Sequence, residues 1–390
     1  MRIGLQIEHF DPARGGSETY VYQLARQLVA AGHEVHVFTS HNEDVLPGVQ
    51  VHVVRPFRPE QSRAALAEAD LDLVVGTRRG LGMHIFQPHD GTFLGNRRHS
   101  LAMIRNPWLR QGWSICSRLL PKYRTAARIE QRQYAQASPR PRFVAISRMV
   151  AREIQQFYHV PQDRLHLVYH GVDCNQFSPE RCAGLREAAR LKWGLGPATV
   201  CFLLVAHNFR LKGVHELIEA AGRLRRIRDD FAVVVVGRGR SSRYRRLVRR
   251  LKCVDNVHFT GPIRDIERAY AAADVCVHPA WYEPFGLAVL EAWASGLPVI
   301  TSRFTGSGEL MKEGKEGFLI DSPADTDTLA KRMLELFDAE RRTSMGRAGR
   351  ALAERHTQED NFRALMAVFE QAADKHSASA LPRPSIRRAA

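Results

Sequence analysis

Two carboxylates, Glu283 and Glu291, flank the start of one helix with seven residues between them. The stretch Val277–Glu309 reads V-H-P-A-W-Y-E-P-F-G-L-A-V-L-E-A-W-A-S-G-L-P-V-I-T-S-R-F-T-G-S-G-E. An apolar strand ends at His278-Pro279, and a loop carries Glu283, Pro284, Phe285 and Gly286. The pattern predicts a helix from Leu287 to Ser295, stopped by Gly296, and then a strand from Pro298 to Ser302. A helix N-terminus offers unpaired N–H groups and a positive dipole end, which together make an anion site. A carboxylate on each side can accept hydrogen bonds from sugar hydroxyls. Phosphate next to sugar is the outline of a nucleotide sugar. The ordinary alternative for two lone glutamates is a helix cap and a solvated acid.

Other residues could join that chemistry. Gly15-Gly16-Ser17-Glu18 links the first predicted strand to the first predicted helix, and two glycines there let backbone amides approach a ligand closely. Arg210 and Lys212-Gly213 precede another helix. Two cations at a helix N-terminus can neutralise the charge that builds on a departing diphosphate. Gly237-Arg238-Gly239 follows the most apolar strand, F-A-V-V-V-V; without a third glycine it is no dinucleotide fingerprint. Gly261-Pro262-Ile263 closes a further strand. Pro88-His89-Asp90-Gly91-Thr92 follows a strand at 83–87, where a lone His-Asp is usually a turn. Asp70/Asp72 and Asp325/Asp327 spell D-x-D strings, and both read as caps, not as a metal site. No catalytic metal and no cofactor is expected.

The elements that must position these residues alternate. Arg2–Ile7, Val35–Thr39, Val51–Arg55, Leu71–Gly76 and Phe143–Ser147 read as strands, and Ser17–Ala31 as a helix closed by Gly32. The pattern restarts at Thr199–Ala206 and continues through Phe231–Gly237, Asn256–Gly261 and Val275–Pro279. Such alternation implies parallel sheets with right-handed crossovers. The fold class is α/β, with two doubly wound, Rossmann-like domains facing each other across a cleft. Ligands of such sheets sit outside the strand C-termini. The polar stretch Glu180–Gly196 reads as the linker. The last residues, 379–390, read as a disordered basic tail. The six cysteines are scattered and never C-x-x-C, so they read as reduced thiols. Neither a secretory signal nor a run long enough to span a membrane is visible.

The string E-P-F-G-L-A-V-L-E-A followed by A-S-G-L-P-V-I, with H-G-V-D-C-N-Q-F-S-P at 170–179, resembles the donor-site and domain-end motifs of the retaining family 4 glycosyltransferases of GT-B fold. The resemblance runs from Met1 to about residue 375. It implies that Glu283 reaches the donor sugar and Glu291 the ribose hydroxyls. The amides around Phe285, Gly286, Leu287 and Ala288 would face the diphosphate. It places Gly15, Gly16 and Glu18 under the donor phosphate and sugar, Lys212 on the diphosphate, Gly237 and Ile263 beside the base, and His89 and Asp90 at the sugar or acceptor. His207 stands where the family usually has an arginine, and Arg210 is taken as its replacement. The resemblance also implies a donor-binding domain over 183–359. Residues 1–182 would form the acceptor domain, joined by a returning segment at 360–378.

One further stretch sets the partner. Residues 97–128 hold eight Lys or Arg and no acid, interleaved with Trp108, Leu109, Trp113, Leu119, Leu120 and Tyr123. Basic residues mixed with Trp and Leu suit the interface of an anionic membrane. The chain as a whole has a net charge of +16, which suits a polyanionic partner. No nucleic-acid module is present, so nucleic acid is not the expected partner. Within the family the resemblance is strongest to the lipopolysaccharide core α-glucosyltransferases. It implies glucose transfer from UDP-glucose to an inner-core heptose by a cytoplasmic protein, peripheral at the cytosolic face of the inner membrane. Other readings are a transferase with a GDP-mannose or UDP-GlcNAc donor, a nucleotide-sugar epimerase or hydrolase, and a non-catalytic membrane- or RNA-binding protein.

Overall fold

The computed structural model describes residues 1–42, 46–54, 59–135 and 141–379. Two parallel sheets carry the architecture. The first contains β1 (Arg2–Gln6), β2 (Glu34–Thr39), β3 (Val49–Val53), β4 (Leu73–Gly76), β5 (Ile85–Phe86), β6 (Arg142–Ala145) and β7 (Leu165–Leu167). The second contains β8 (Val200–Val205), β9 (Phe231–Val236), β10 (Val257–Gly261), β11 (Val275–His278), β12 (Val299–Ser302) and β13 (Gly317–Ile320).

The strand orders are β3-β2-β1-β4-β5-β6-β7 and β10-β9-β8-β11-β12-β13. Each order reverses once, between β1 and β4 and between β8 and β11. A crevice opens at such a reversal, outside the strand C-termini. The loops after β1, β4, β8 and β11 hold Gly15-Gly16, Arg78, Lys212 and Glu283. The strands are apolar on both faces because helices cover both; all six residues of β9 are buried.

The stretch 180–196 is not a linker. It forms most of a helix, Pro179–Lys192, with Ser178 capping its N-terminus. Its polar composition misleads because arginines form its buried face. Arg186 and Arg190 reach Asp274 at 2.6 and 3.1 Å, and Arg190 also bonds the carbonyls of Gly196, Thr199 and Ala272.

The last described helix, Gln358–Ser379, returns to the first sheet. Leu365, Val368 and Phe369 pack in one cluster with Ile3 and Leu5 of β1. Tyr20 Oη donates to Asn361 Oδ1 at 3.1 Å. The two chain crossings lie side by side: Val172 N–H bonds His356 O, and Gln358 N–H bonds Val172 O. A Cβ at Gly171 would fall 2.0 Å from Thr357 O, so only glycine allows the two strands of chain to touch. The expected basic tail lies outside the described residues, apart from Ser379.

Candidate active site

The loops after β8 and β11 meet first. Trp281 N–H bonds Leu211 O at 2.8 Å. Gly213 has φ +75, and a Cβ there would stand 2.1 Å from Pro279 O. Glycine therefore lets the two loops close, and closure brings Lys212 Nζ onto the Glu283 carboxylate. His278, at the end of β11, approaches the same carboxylate at 3.2 Å. Burial holds the His278 pKa down to about 3, helped by the Lys212 charge. The ring is neutral and its Nε2–H can donate to Glu283. Burial also lowers Lys212 to about 8, while the Asp90 carboxylate across the cleft opposes that shift.

Glu283 is thus an ion-pair partner and not a helix cap. Its backbone is fixed on both sides, by Glu283 N–H to Phe304 O at 2.8 Å and Gly306 N–H to Glu283 O at 2.9 Å. The helix Leu287–Ala294 starts after Gly286, in the left-handed region at φ +95, and no side chain caps it. Its first amides therefore make no side-chain cap hydrogen bond, and the nearby Glu283 carboxylate is paired with Lys212. Glu291 sits one turn further in and is half-buried. Tyr270 Oη donates to it at 2.6 Å. Burial raises the Glu291 pKa, Tyr270 pulls it back, and Glu267 raises it again.

The first domain supplies the opposite wall. A Cβ on Gly16 would be 3.5 Å from Leu287 Cδ1, and one on Gly15 would be 4.0 Å from His207 Cδ2. The two walls are within contact distance at the glycine pair. Arg78, after β4, reaches Glu18 at 3.1 Å, Glu8 at 3.3 Å and Asp90 at 3.9 Å. Glu18 is buried; Asp90 is exposed to the cleft. Glu8, Arg78, Arg79, Pro88 and Asp90 line a cavity of about 180 Å³. His89 is held by Ser17 Oγ at 3.1 Å from its Nδ1. Burial, with His170 and Arg78 nearby, keeps His89 well below the usual imidazole range. Its Nε2 is buried and has no hydrogen-bond partner among the described residues.

Tyr282 ties the two walls together. It reaches from the donor loop into the first domain, where its Oη donates to Glu153 at 2.6 Å and accepts from Thr92 N–H at 3.1 Å. Thr92 Oγ1 donates to the same carboxylate at 2.7 Å. His99 stacks on Tyr282 with ring centroids 5.0 Å apart.

The expected site residues fare differently. Gly15, Gly16, Glu18, His89, Asp90, Lys212, Glu283, Gly286, Leu287 and Glu291 stand around one cleft, with Ala288 in the first turn of its uncapped helix. Phe285 has a buried side chain, edge-on to His170 at 5.1 Å, so only its backbone is available to a ligand. Gly237 has its amide taken by Gly261 O at 2.9 Å. A Cβ there would meet Ala206 O at 1.8 Å, which makes its role close packing of the wall. Ile263 is half-buried against the core. Arg210 does not join the Lys212 cluster: it is exposed and its charge is felt at Tyr244. Burial lowers the His207 pKa, and the cations felt there are Lys212 first and Arg238 second. The D-x-D strings are structural, one not as expected. Asp325 caps the helix Thr326–Glu335. Asp72 accepts the Arg2 amide at 2.7 Å and Asp70 pairs with the Arg2 guanidinium at 2.9 Å, so they anchor a strand start and cap no helix. Among the described residues no group of three or more His, Cys, Asp or Glu is placed to hold a metal ion.

The sequence does not single out Arg78, His278 and Tyr282. Only their position at or just after strand C-termini could have found them, since none belongs to a spaced pattern.

Residues 14–176 match the family described as Glycosyltransferase Family 4, and residues 186–352 match Glycosyl transferases group 1. The D-inositol 3-phosphate glycosyltransferase of Pseudarthrobacter chlorophenolicus is 28% identical, covering 98% of this chain and 98% of its own. The lipopolysaccharide glucosyltransferase WaaG of Escherichia coli is 25% identical over 81% of this chain and 84% of its own. The crystal structure of WaaG, a glycosyltransferase involved in lipopolysaccharide biosynthesis, superposes with a TM-score of 0.80 at 23% identity, covering 96% and 99% of the two chains. HepE of Anabaena, in complex with UDP and glucose, superposes at 0.70 with 19% identity over 95% and 100%. With two doubly wound sheets and a cleft between them that brings Lys212, Glu283 and an uncapped helix together, the chain belongs to the GT-B glycosyltransferases, a family 4 domain followed by a group 1 domain.

Proposed function

We propose that the protein is a retaining, metal-independent hexosyltransferase that moves glucose from UDP-glucose to an inner-core heptose of lipopolysaccharide, or to a similar anionic glycolipid, at the cytosolic face of the inner membrane. The observation that carries this reading is the meeting of Lys212 and Glu283 at the uncapped start of Leu287–Ala294. A diphosphate on those amides would have Lys212 beside it, and its hexose would lie against Glu283. Glu291 would take the ribose hydroxyls. As the donor C1–O bond breaks, the acceptor oxygen bonds C1 on the same face. The departing phosphate oxygen takes the acceptor proton, so no enzyme nucleophile is needed. Lys212 and the helix dipole neutralise the leaving charge. His89 and Asp90 orient sugar and acceptor. The HepE complex with UDP and glucose supports a uridine donor by analogy of fold.

The acceptor reading rests on the segment 93–135, a run of three helices, Phe93–Ala102, Pro107–Leu119 and Pro121–Ala135. Trp108, Leu109, Ile115 and Leu119 of the middle helix are 81%, 66%, 58% and 71% exposed, among arginines. Tyr123 instead packs toward Phe93. Exposed tryptophan and leucine among cations favour an anionic bilayer over bulk water. Among the described residues no helix is long and apolar enough to cross a membrane, which leaves peripheral contact as the mode this reading needs. A second reading, transfer to a small phosphorylated acceptor, is favoured by relatives named D-inositol 3-phosphate glycosyltransferase. A thermal-shift panel of UDP, GDP and ADP sugars, followed by transfer assays on heptose-terminated glycolipid and on inositol phosphate, tests both. Stabilisation by UDP-glucose and transfer to the glycolipid are expected. Stabilisation by GDP-mannose alone, or transfer to inositol phosphate alone, would overturn the donor or the acceptor assignment.

A further inference from the structure

Lys and Arg number 57 and Asp and Glu 41. Two short stretches account for the whole excess. Residues 97–128 hold eight cations and no acid, residues 238–252 hold another eight and no acid, and the rest of the chain carries 41 of each sign. The first stretch is the segment already discussed. The second runs from the loop after β9 through the helix Ser242–Arg250.

That helix buries Tyr244, Leu247 and Val248 and exposes Arg243, Arg245, Arg246, Arg249 and Arg250. Arg243 bonds Tyr244 Oη at 2.7 Å and Arg245 bonds Ser241 Oγ at 3.3 Å; among the described residues none of the five is ion-paired to a carboxylate. Several surface arginines elsewhere do find acids: Arg223 with Asp327, Arg228 with Asp230, and Arg303 with Asp321. Like charges three and four apart on a helix repel, so this row opposes its own helix until an anion covers it.

Its place in the fold indicates which anion. The helix Val214–Leu224 touches both basic stretches. Its Glu219 takes Arg105 of the first stretch at 2.8 Å. A Cβ on its Gly222 would stand 3.0 Å from Leu251, where the arginine helix ends. The two patches therefore both adjoin one helix, one patch on each domain.

We propose that the arginine face of Ser242–Arg250 is a second, purely electrostatic foot on the same anionic membrane surface that the helix Pro107–Leu119 docks on; this rests on the membrane reading given above. The face exposes no large apolar side chain, so it adds attraction to headgroups without insertion. A bilayer is favoured over nucleic acid because the companion patch offers Trp108 and Leu119 for burial, which a lipid interface accepts. A plane that engages both feet also holds the two domains in one relative orientation across the donor cleft.

The test is partition onto vesicles of phosphatidylglycerol and phosphatidylcholine, comparing three variants with the wild type. They are R246S/R249S/R250S, the same triple to lysine, and W108S/W113S. The serine triple should weaken partition by about a hundredfold, roughly fivefold for each cation near the surface. The lysine triple should keep it, and rising salt should erase the difference between the two. An unchanged UDP-glucose thermal shift in the serine triple shows that the fold is intact; should the triple not fold, R246S alone should lose about fivefold. Unaltered partition in the serine triple while W108S/W113S loses it would overturn the second foot and leave the first standing. No partition of the wild type would overturn both. Loss of RNA binding with vesicle binding retained would reassign the face and overturn the proposal.

Discussion

In the proposed function Lys212 is the residue on which the donor chemistry turns, and its protonation would set a pH limit. Burial lowers its pKa from the usual 10.5 to about 8, so the ammonium is present below that pH and lost above it. Activity that needs this cation against the diphosphate should fall as pH rises through about 8. K212R should carry the falling limb beyond the accessible range, and D90N should move it lower, because the Asp90 charge helps retain the proton. A kcat/KM profile of the three proteins checks the sign; a limb that ignores both changes would remove Lys212 from the donor site. Glu291, half-buried on Tyr270, should matter for binding before chemistry. E291A should raise donor KM by about ten- to a hundredfold, the worth of one or two hydrogen bonds to a charged group. Unchanged kinetics would exclude it from the ribose. Glu283, Glu291 and Lys212 could be read in the sequence because they sit in a long motif at helix starts. His278 and Arg78 could not, since a histidine before proline or an arginine in a loop has no periodic signature until the sheet order brings it to the crevice. Arg210 was misplaced for a related reason: linear proximity to Lys212 says nothing about which way a turn aims a side chain.

Elements hold the two walls in register, and Tyr282 is where that can be tested. Y282F removes an acceptor from the buried Thr92 N–H and a donor from Glu153. It should cost about 1–3 kcal/mol in urea unfolding, with donor binding weakened as the loop 280–286 loosens. Gly91 lies directly beneath, at φ +68, and a Cβ there would fall 2.0 Å from Tyr282 Oη. G91A should therefore be more damaging than Y282F, and the reverse order would mean that the two domains do not meet there. At this scale the sequence was clear where patterns are apolar. The strands were recognisable by their valine and isoleucine runs; the returning segment was implied by the family resemblance, and the structure shows it held by Leu365, Val368 and Phe369. It was opaque where burial is polar: the helix Pro179–Lys192 fixes itself through Arg186 and Arg190, and its composition looks like solvated chain.

The whole molecule is a pair of crevices set face to face, with the reversal point of each sheet supplying one side of a single site. Its charge is as divided as its fold, neutral through the body and concentrated in two basic stretches, one on each domain. That division could be counted in the sequence, but the adjacency of both stretches to the helix Val214–Leu224 could not, because it depends on how the domains meet. The central claim is that this cleft transfers a hexose from a nucleotide sugar by main-chain and Lys212 contacts to the diphosphate. Its most direct test is UDP release from UDP-glucose by the purified protein in EDTA, with and without heptose-terminated glycolipid, beside K212A. UDP should form only with acceptor present, at a rate EDTA leaves unchanged and K212A reduces by at least about a hundredfold, the loss of one charge-stabilising contact. UDP formed equally without acceptor, or activity abolished by EDTA and restored by manganese, would contradict it.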